Sequence, residues 1–153
     1  SSTPGKTQMI NFFDVNDLLV FADLPGYGFA KVPKAVKKHW QDMIETYLLQ
    51  RENLRGVIFI IDIRRDPVAL DIELRDWMEV SGINYILAAT KADKLSKGER
   101  DKQLRKIKAA YFVGGQGDLV VYSSVTHEGR KELLGWILKQ ADLNKTETNE
   151  TGE

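Results

Sequence analysis

The chain has 153 residues, with 22 basic against 22 acidic for a formal net charge of zero, and 42% of it is hydrophobic. These are the proportions of one ordinary globular domain, long enough to bury a core without help from metal or disulfide. The absence of cysteine excludes a disulfide scaffold, a zinc-thiolate site and a cysteine nucleophile, and it fits a reducing compartment. The longest apolar run, Val57 to Ile61, falls far short of the roughly 20 residues that span a bilayer. The opening Ser1-Ser2-Thr3-Pro4-Gly5 has neither the charged nor the apolar region of a secretory signal, so a cytoplasmic location is expected. It also lacks an initiator methionine, and the front of the natural protein is expected to be missing.

Gln8 to Asp14 and Leu18 to Asp23 are apolar runs separated by Val15-Asn16-Asp17, which predicts an antiparallel hairpin. Two prolines and two glycines make Leu24 to Pro33 a loop. From Lys34 to about Glu52, Val36, Trp40, Met43, Ile44, Tyr47 and Leu48 recur at helical spacing. Val57 to Ile63 is a continuous β-branched run, the pattern of a strand covered on both faces in a parallel sheet. Asp66-Pro67 predicts a helix cap and first-turn proline, Leu70, Leu74, Trp77 and Met78 an inner stripe, and Gly82 the helix end. Ile83 to Ala89 reads as the next strand, and Ser96-Lys-Gly-Glu99 as a capping box opening a helix that faces Leu104, Ile107 and Tyr111 inward. Leu119 to Tyr122 is a further strand. A last helix from about Glu128 to Gln140 is expected to turn Leu133, Leu134, Ile137 and Leu138 inward. Strand and helix alternate from Val57 onward, which calls for parallel strands joined by right-handed crossovers, with helices on both faces of an open α/β sheet. The tail, 142–153, holds four acids against Lys145 and one large apolar residue, so it is expected to be disordered. The body, 1–141, is read as the domain, with 21 basic and 18 acidic residues.

Open α/β sheets bind ligands beyond the carboxyl ends of their strands. Three segments fall there. Asp23-Leu-Pro-Gly26 offers a carboxylate and a glycine N–H able to approach an anion; alone, it reads first as a capping aspartate and a turn glycine. Thr90-Lys91-Ala92-Asp93 offers a carboxylate that can accept from the N1–H and N2–H₂ edge of guanine. Adenine presents an N1 lone pair there instead, and each unmade bond to a charged group is worth on the order of ten- to a hundredfold in affinity. Lys91 can lay its aliphatic stem over the purine face. The alternative for this tetrapeptide is a polar strand-to-helix turn. Ser123-Ser124, after the last strand, offers backbone donors for a base carbonyl. The chain order of the three segments and their strand-end positions favour a shared ligand over three unrelated turns.

Thr3-Pro-Gly-Lys-Thr-Gln8, Asp23-Leu-Pro-Gly-Tyr-Gly-Phe-Ala-Lys-Val-Pro33 and Thr90-Lys-Ala-Asp-Lys-Leu-Ser-Lys-Gly98 resemble signatures of the EngB family of bacterial ribosome-assembly GTPases, within the P-loop GTPases related to translation factors. The resemblance covers Ser1 to about Ala141. It implies a Ras-like open mixed sheet with helices on both faces, and a slow GTP-dependent switch in large ribosomal subunit assembly and, through it, in cell division and septation. It implies GTP or GDP and Mg²⁺ as ligands, with K⁺ a further candidate, and a monomer that associates with the ribosome. By the resemblance, Thr7 coordinates Mg²⁺ and the γ-phosphate, Asp23 holds Mg²⁺ through water, and the Gly26 N–H senses the γ-phosphate. Thr90, Lys91 and Asp93 read guanine, supported by Ser123 and Ser124. Tyr27 stands where many GTPases carry the glutamine that orients the attacking water. No catalytic residue is therefore assigned, and slow hydrolysis is expected, the alternative being that Tyr27 is a surface residue of the loop.

The sequence contains no Gly-x-x-x-x-Gly-Lys-Ser/Thr, the loop whose N–H groups and lysine bind the α- and β-phosphates. The family carries that loop shortly before the segment with which this chain begins. The resemblance thus implies a fold without its central first strand, phosphate loop and first helix. Two unpaired edges are expected between the hairpin and the Val57 strand. The chain alone is expected to bind nucleotide poorly or not at all, and the intact protein to be a GTPase. Lys31, Lys34, Lys37 and Lys38 form a basic stretch close after Asp23–Gly26, and Lys97, Arg100, Lys102, Arg105, Lys106 and Lys108 another. Both read as solvated helix faces or as RNA contacts. The rival function is a non-catalytic ribosome- or RNA-binding module on the same scaffold. A receiver domain is disfavoured by the antiparallel hairpin and the lone aspartate at each strand end.

Overall fold

The computed structural model describes residues 9–26, 34–113 and 117–143, apart from the side chains of 34–37, 39 and 40. The chain divides into two units, Ser1–Leu54 and Arg55–Glu153. In the first, β1 (Asn11–Val15) pairs antiparallel with β2 (Leu19–Asp23), Asn11 opposite Asp23 and Val15 opposite Leu19. Asn16 and Asp17 both have φ of 56°, the left-handed pair that tight hairpin turns require and that Asn and Asp tolerate best. Leu18 N–H closes the turn on the Val15 carbonyl at 3.0 Å. Helix α1 (Lys34–Gln50) buries Ile44 and Leu48. Tyr47 meets Phe12 of β1 with ring centroids 6.1 Å apart, and the Arg51 guanidinium lies 5.5 Å from both rings. Phe12 and Phe13, on opposite faces of β1, are both more than half exposed.

In the second unit β3 (Val57–Asp62), β4 (Tyr85–Thr90) and β5 (Asp118–Val121) form a parallel sheet in that order. The crossover helices α2 (Ala69–Val80) and α3 (Lys97–Tyr111) pack together. Arg75 of α2 donates to the Ala110 carbonyl at 3.2 Å, and Tyr111 donates to Asp71 at 3.2 Å. Tyr111 also sets its ring edge against Phe59 of β3. Both crossover helices therefore lie on one sheet face, as successive crossovers of the same hand require. Ile63, Leu87, Met78, Ile107 and Tyr111 are almost fully buried, each apolar side chain stabilising by about 1.5–3 kcal/mol. On the opposite face, Leu133 and Trp136 of α4 (Arg130–Gln140) pack with Ile58 on Ile86, Ala88 and Val120.

The open mixed α/β class is as expected, and backbone pairing is split between two sheets. Among the described residues no strand pairs with β2 on the side away from β1, or with β3 on the side away from β4. Three local expectations are corrected. Helix α2 starts at Ala69 rather than beside Asp66, because the Asp66 carboxylate is bound to Lys106 of α3 at 2.6 Å and Val68 takes the cap position without a side-chain bond. Strand β3 is covered on both faces only in part: Ile58 packs under α4, but Ile60 on the same face is 63% exposed, while Phe59 and Ile61 on the other face are buried. Leu134 and Leu138 of α4 point outward, because α4 seats on the sheet through Leu133 and Trp136. No described helix is long and apolar enough to cross a membrane.

Candidate functional site

Strands β4 and β5 continue to hydrogen-bond past their formal ends. Tyr122 N–H donates to the Ala89 carbonyl at 2.9 Å, and Ala92 N–H returns to the Tyr122 carbonyl at 3.1 Å. This ladder brings the segment after β4 beside the segment after β5. Between strand and turn, Lys91 adopts φ 62°, ψ 33°, a left-handed conformation costing a non-glycine residue roughly 1–2 kcal/mol. Such strain persists only where the surroundings hold it, and it concentrates at functional sites. Here it swings the chain into a short 3₁₀ turn, Ala92–Lys94, that carries Asp93.

Asp93 meets its partner across the ladder. The Ser123 hydroxyl donates to Asp93 Oδ1 at 2.7 Å and accepts from the N–H groups of Val125 and Thr126 at 3.2 and 3.1 Å. Ser123 is wholly buried. Its hydrogen bond is the main cause holding the Asp93 carboxyl below its ordinary value, with Lys94 Nζ at 3.3 Å from Oδ2 adding to it. An ionised carboxylate has about four lone-pair positions. These two partners leave room for a bidentate donor, which is the demand a guanine edge makes. Ser123 thus supports Asp93 rather than offering its own hydroxyl to a ligand. With the Val125 and Thr126 N–H groups committed to it, exposed Ser124 is the remaining backbone candidate of the pair.

A second cluster fixes Lys91. Asp62, last residue of β3 and opposite Thr90 in register, accepts from Lys91 Nζ at 2.9 Å and from Arg64 Nε and Nη2 at 2.9 and 2.6 Å. The Arg64 hydrogen bond is the largest cause driving the Asp62 carboxyl far below its usual range; Lys91 adds to it and desolvation opposes it. Thr90 spends its hydroxyl on the Ile61 carbonyl at 2.8 Å, and its own carbonyl accepts Ile63 N–H at 3.1 Å. Thr90 therefore ties the ends of β3 and β4 together.

In the first unit, Asp23 ends β2 with an exposed carboxylate, and Gly26 is exposed three residues on. Lys38 is exposed on α1. Thr7, Tyr27 and Lys31, and the side chains of Lys34 and Lys37, lie outside the described residues.

The family model described as 50S ribosome-binding GTPase matches residues 1–91. A probable GTP-binding protein EngB of Geotalea daltonii is 55% identical over 130 residues, covering 85% of this chain and 62% of its own length. That of Syntrophus aciditrophicus is 48% identical over 139 residues, 91% of this chain and 70% of its own. The chain belongs to the EngB family of GTP-binding proteins. The relative from Geobacter metallireducens matches the whole chain at 44% identity and 74% of its own length. The chain thus spans less than two-thirds, 62%, of the length of the first of these relatives, and 70% and 74% of the other two. The fold agrees: the crystal structure of a probable GTP-binding protein EngB superposes with a TM-score of 0.74 at 18% identity, covering 93% of this chain and 84% of that one.

Within this EngB-family chain, Lys91, Asp93 and Ser123 come together in the second unit. Sequence reasoning passed over three residues of the same rim. Asp62 was discoverable, because the strand-end rule applies to β3 as much as to β4 and β5. Arg100 and Glu128 were legible only as surface charges; their 2.6 Å contact joins residues 28 positions apart.

Proposed function

We propose that this chain is the guanine-reading and switch-bearing part of a slow GTP-dependent switch that acts on the large ribosomal subunit during its assembly and, through it, on cell division. The observation that carries the reading is the Asp93 carboxylate, which accepts the buried Ser123 hydroxyl at 2.7 Å at the carboxyl end of a parallel sheet. Guanine presents two N–H donors to such a group, and adenine presents a lone pair. Lys91, its ammonium held by Asp62, leaves its exposed four-carbon stem available to a purine face.

By family resemblance, Gly26 N–H and Thr7 sense the γ-phosphate, and Asp23 takes part in holding Mg²⁺. The Asp23 carboxylate fits that role: it is exposed at a strand end, and Mg²⁺ is usually held by one or two carboxylates together with substrate phosphates and water. When bound, the ion would neutralise phosphate charge. The chain's own part would be to order the loops that carry Thr7 and Gly26 while the terminal phosphate is present and to release them on its loss. Tyr27 in place of a water-orienting glutamine supports slow hydrolysis, with K⁺ or the ribosome completing the site. Lys31, Lys34, Lys37 and Lys38 supply positive charge next to the loop for an RNA partner.

The test is titration of a fluorescent GTP analogue with Mg²⁺ into the complete gene product. Binding is expected to be displaced by GDP and not by ATP, and to be lost in Asp93→Ala. Equal displacement by ATP, or unchanged binding by the variant, would overturn the reading.

A further inference from the structure

Arg100 is the fourth residue of α3, and its root is fixed. Ser96 and Glu99 form a reciprocal capping box at the helix start, and Arg100 N–H donates to the Ser96 carbonyl at 2.9 Å. From there the guanidinium reaches two loops at once. Nη2 donates to the Ala92 carbonyl at 3.0 Å, one residue before Asp93. Nη1 donates to the Glu128 carboxylate at 2.6 Å. Glu128 in turn closes the loop that begins at Ser123, its carbonyl accepting Ser123 N–H at 3.1 Å. The third donor of the group, Nε, is buried without an acceptor among the described residues. The guanidinium thus bridges these two partners, with the side chain 25% exposed.

We propose that Arg100 is a positioning residue for base recognition, holding the Asp93 turn and the Ser123 loop at the mutual spacing that lets Asp93 meet both donors of a guanine edge. The proposal rests on the guanine-reading role of Asp93. Two features make the arginine matter beyond general stability. The loop from Ser124 to Glu128 is exposed along its length and passes through a left-handed His127 at φ 61°. Beyond the bonds around Ser123, Arg100 is its described tie to α3. In addition, a planar guanidinium presents donors at fixed angles and can serve a carbonyl on one side and a carboxylate on the other. A lysine ammonium at the same place is a flexible point charge that does not fix the distance between two acceptors.

The experiment measures dissociation constants for GDP and for inosine diphosphate, which lacks the 2-amino donor, on the complete gene product. Wild type, Arg100→Lys, Arg100→Met, Glu128→Ala and Asp93→Asn are compared, each with its melting temperature. Contacts to ribose and phosphates are common to both nucleotides and cancel in the ratio of the two constants. Wild type is expected to prefer GDP, and Arg100→Lys and Arg100→Met to lower that preference by about tenfold, the worth of one charge-assisted hydrogen bond. Glu128→Ala removes one arm of the clamp by a change at an exposed side chain, so it keeps the test available should the arginine variants fail to fold. It is expected to lower the preference by a smaller factor, and the double variant with Arg100→Met by no more than Arg100→Met alone. Variants that melt earlier yet keep the full preference would show a merely structural arginine and overturn the proposal. A wild type without GDP preference, unchanged by Asp93→Asn, would overturn the guanine reading itself and this proposal with it.

Discussion

Replacing Ser123 by alanine removes one hydroxyl from a fully buried position and with it three hydrogen bonds. The bond to Asp93, whose side chain is only 11% exposed, adds to what the other two contribute. The two bonds from Val125 and Thr126 N–H, at 3.2 and 3.1 Å, lie at the long end of the normal range. Each neutral bond contributes about 0.5–1.5 kcal/mol net, giving a loss of about 1–3 kcal/mol. At about 2–4 °C per kcal/mol for a protein of this size, the melting temperature should fall by roughly 2–12 °C. The same substitution removes the main cause that depresses the Asp93 carboxyl, so its titration should move up toward the ordinary aspartate value. Thermal melts followed by circular dichroism give the first quantity, and carboxyl-carbon NMR against pH gives the second. A variant that melts within about 1 °C of wild type and leaves the Asp93 titration in place would refute the role given to the Ser123 hydroxyl.

Asp62→Asn should destabilise the protein at neutral pH by removing the acceptor shared by Arg64 and Lys91. The folded carboxyl titrates well below its ordinary value, so its contribution is present in full above the unfolded aspartate range, about pH 4, and is lost as pH falls through the depressed folded value. Urea melts at pH 7, 5 and 3 should therefore show the gap between variant and wild type narrowing only at the acid end; a gap that widened there would contradict the assignment. Gly129→Ala should cost more than about 2 kcal/mol, because the residue sits at φ 74° and an added methyl group would fall onto the Val121 carbonyl oxygen, which is backbone and does not yield. Urea denaturation checks it, and a loss under about 0.5 kcal/mol would show the loop relaxing at little cost.

Short-range patterns carried most of the element plan. The left-handed Asn16-Asp17 turn, the Ser96–Glu99 capping box, the glycine end of α2 and the β-branched run of β3 each depend on residues within one turn or one strand of each other. A linear sequence displays such spacings directly. The alternation of strands and helices likewise places Thr90–Asp93 and Ser123 at strand ends. The tertiary structure alone decided which side chains meet there. The Ser123 bond to Asp93 spans 30 positions, Lys91 to Asp62 spans 29, and Arg100 to Glu128 spans 28. Those contacts follow from the register of β3, β4 and β5 and from the seating of α3 beside the loop ends, and no single segment encodes either. The rotation of α4 shows the same limit: helical spacing permits Leu134 and Leu138 to face inward, but the sheet surface of Ile86, Ala88 and Val120 accepts Leu133 and Trp136 instead. Periodicity fixes which residues share a face, and only packing selects the face that is buried.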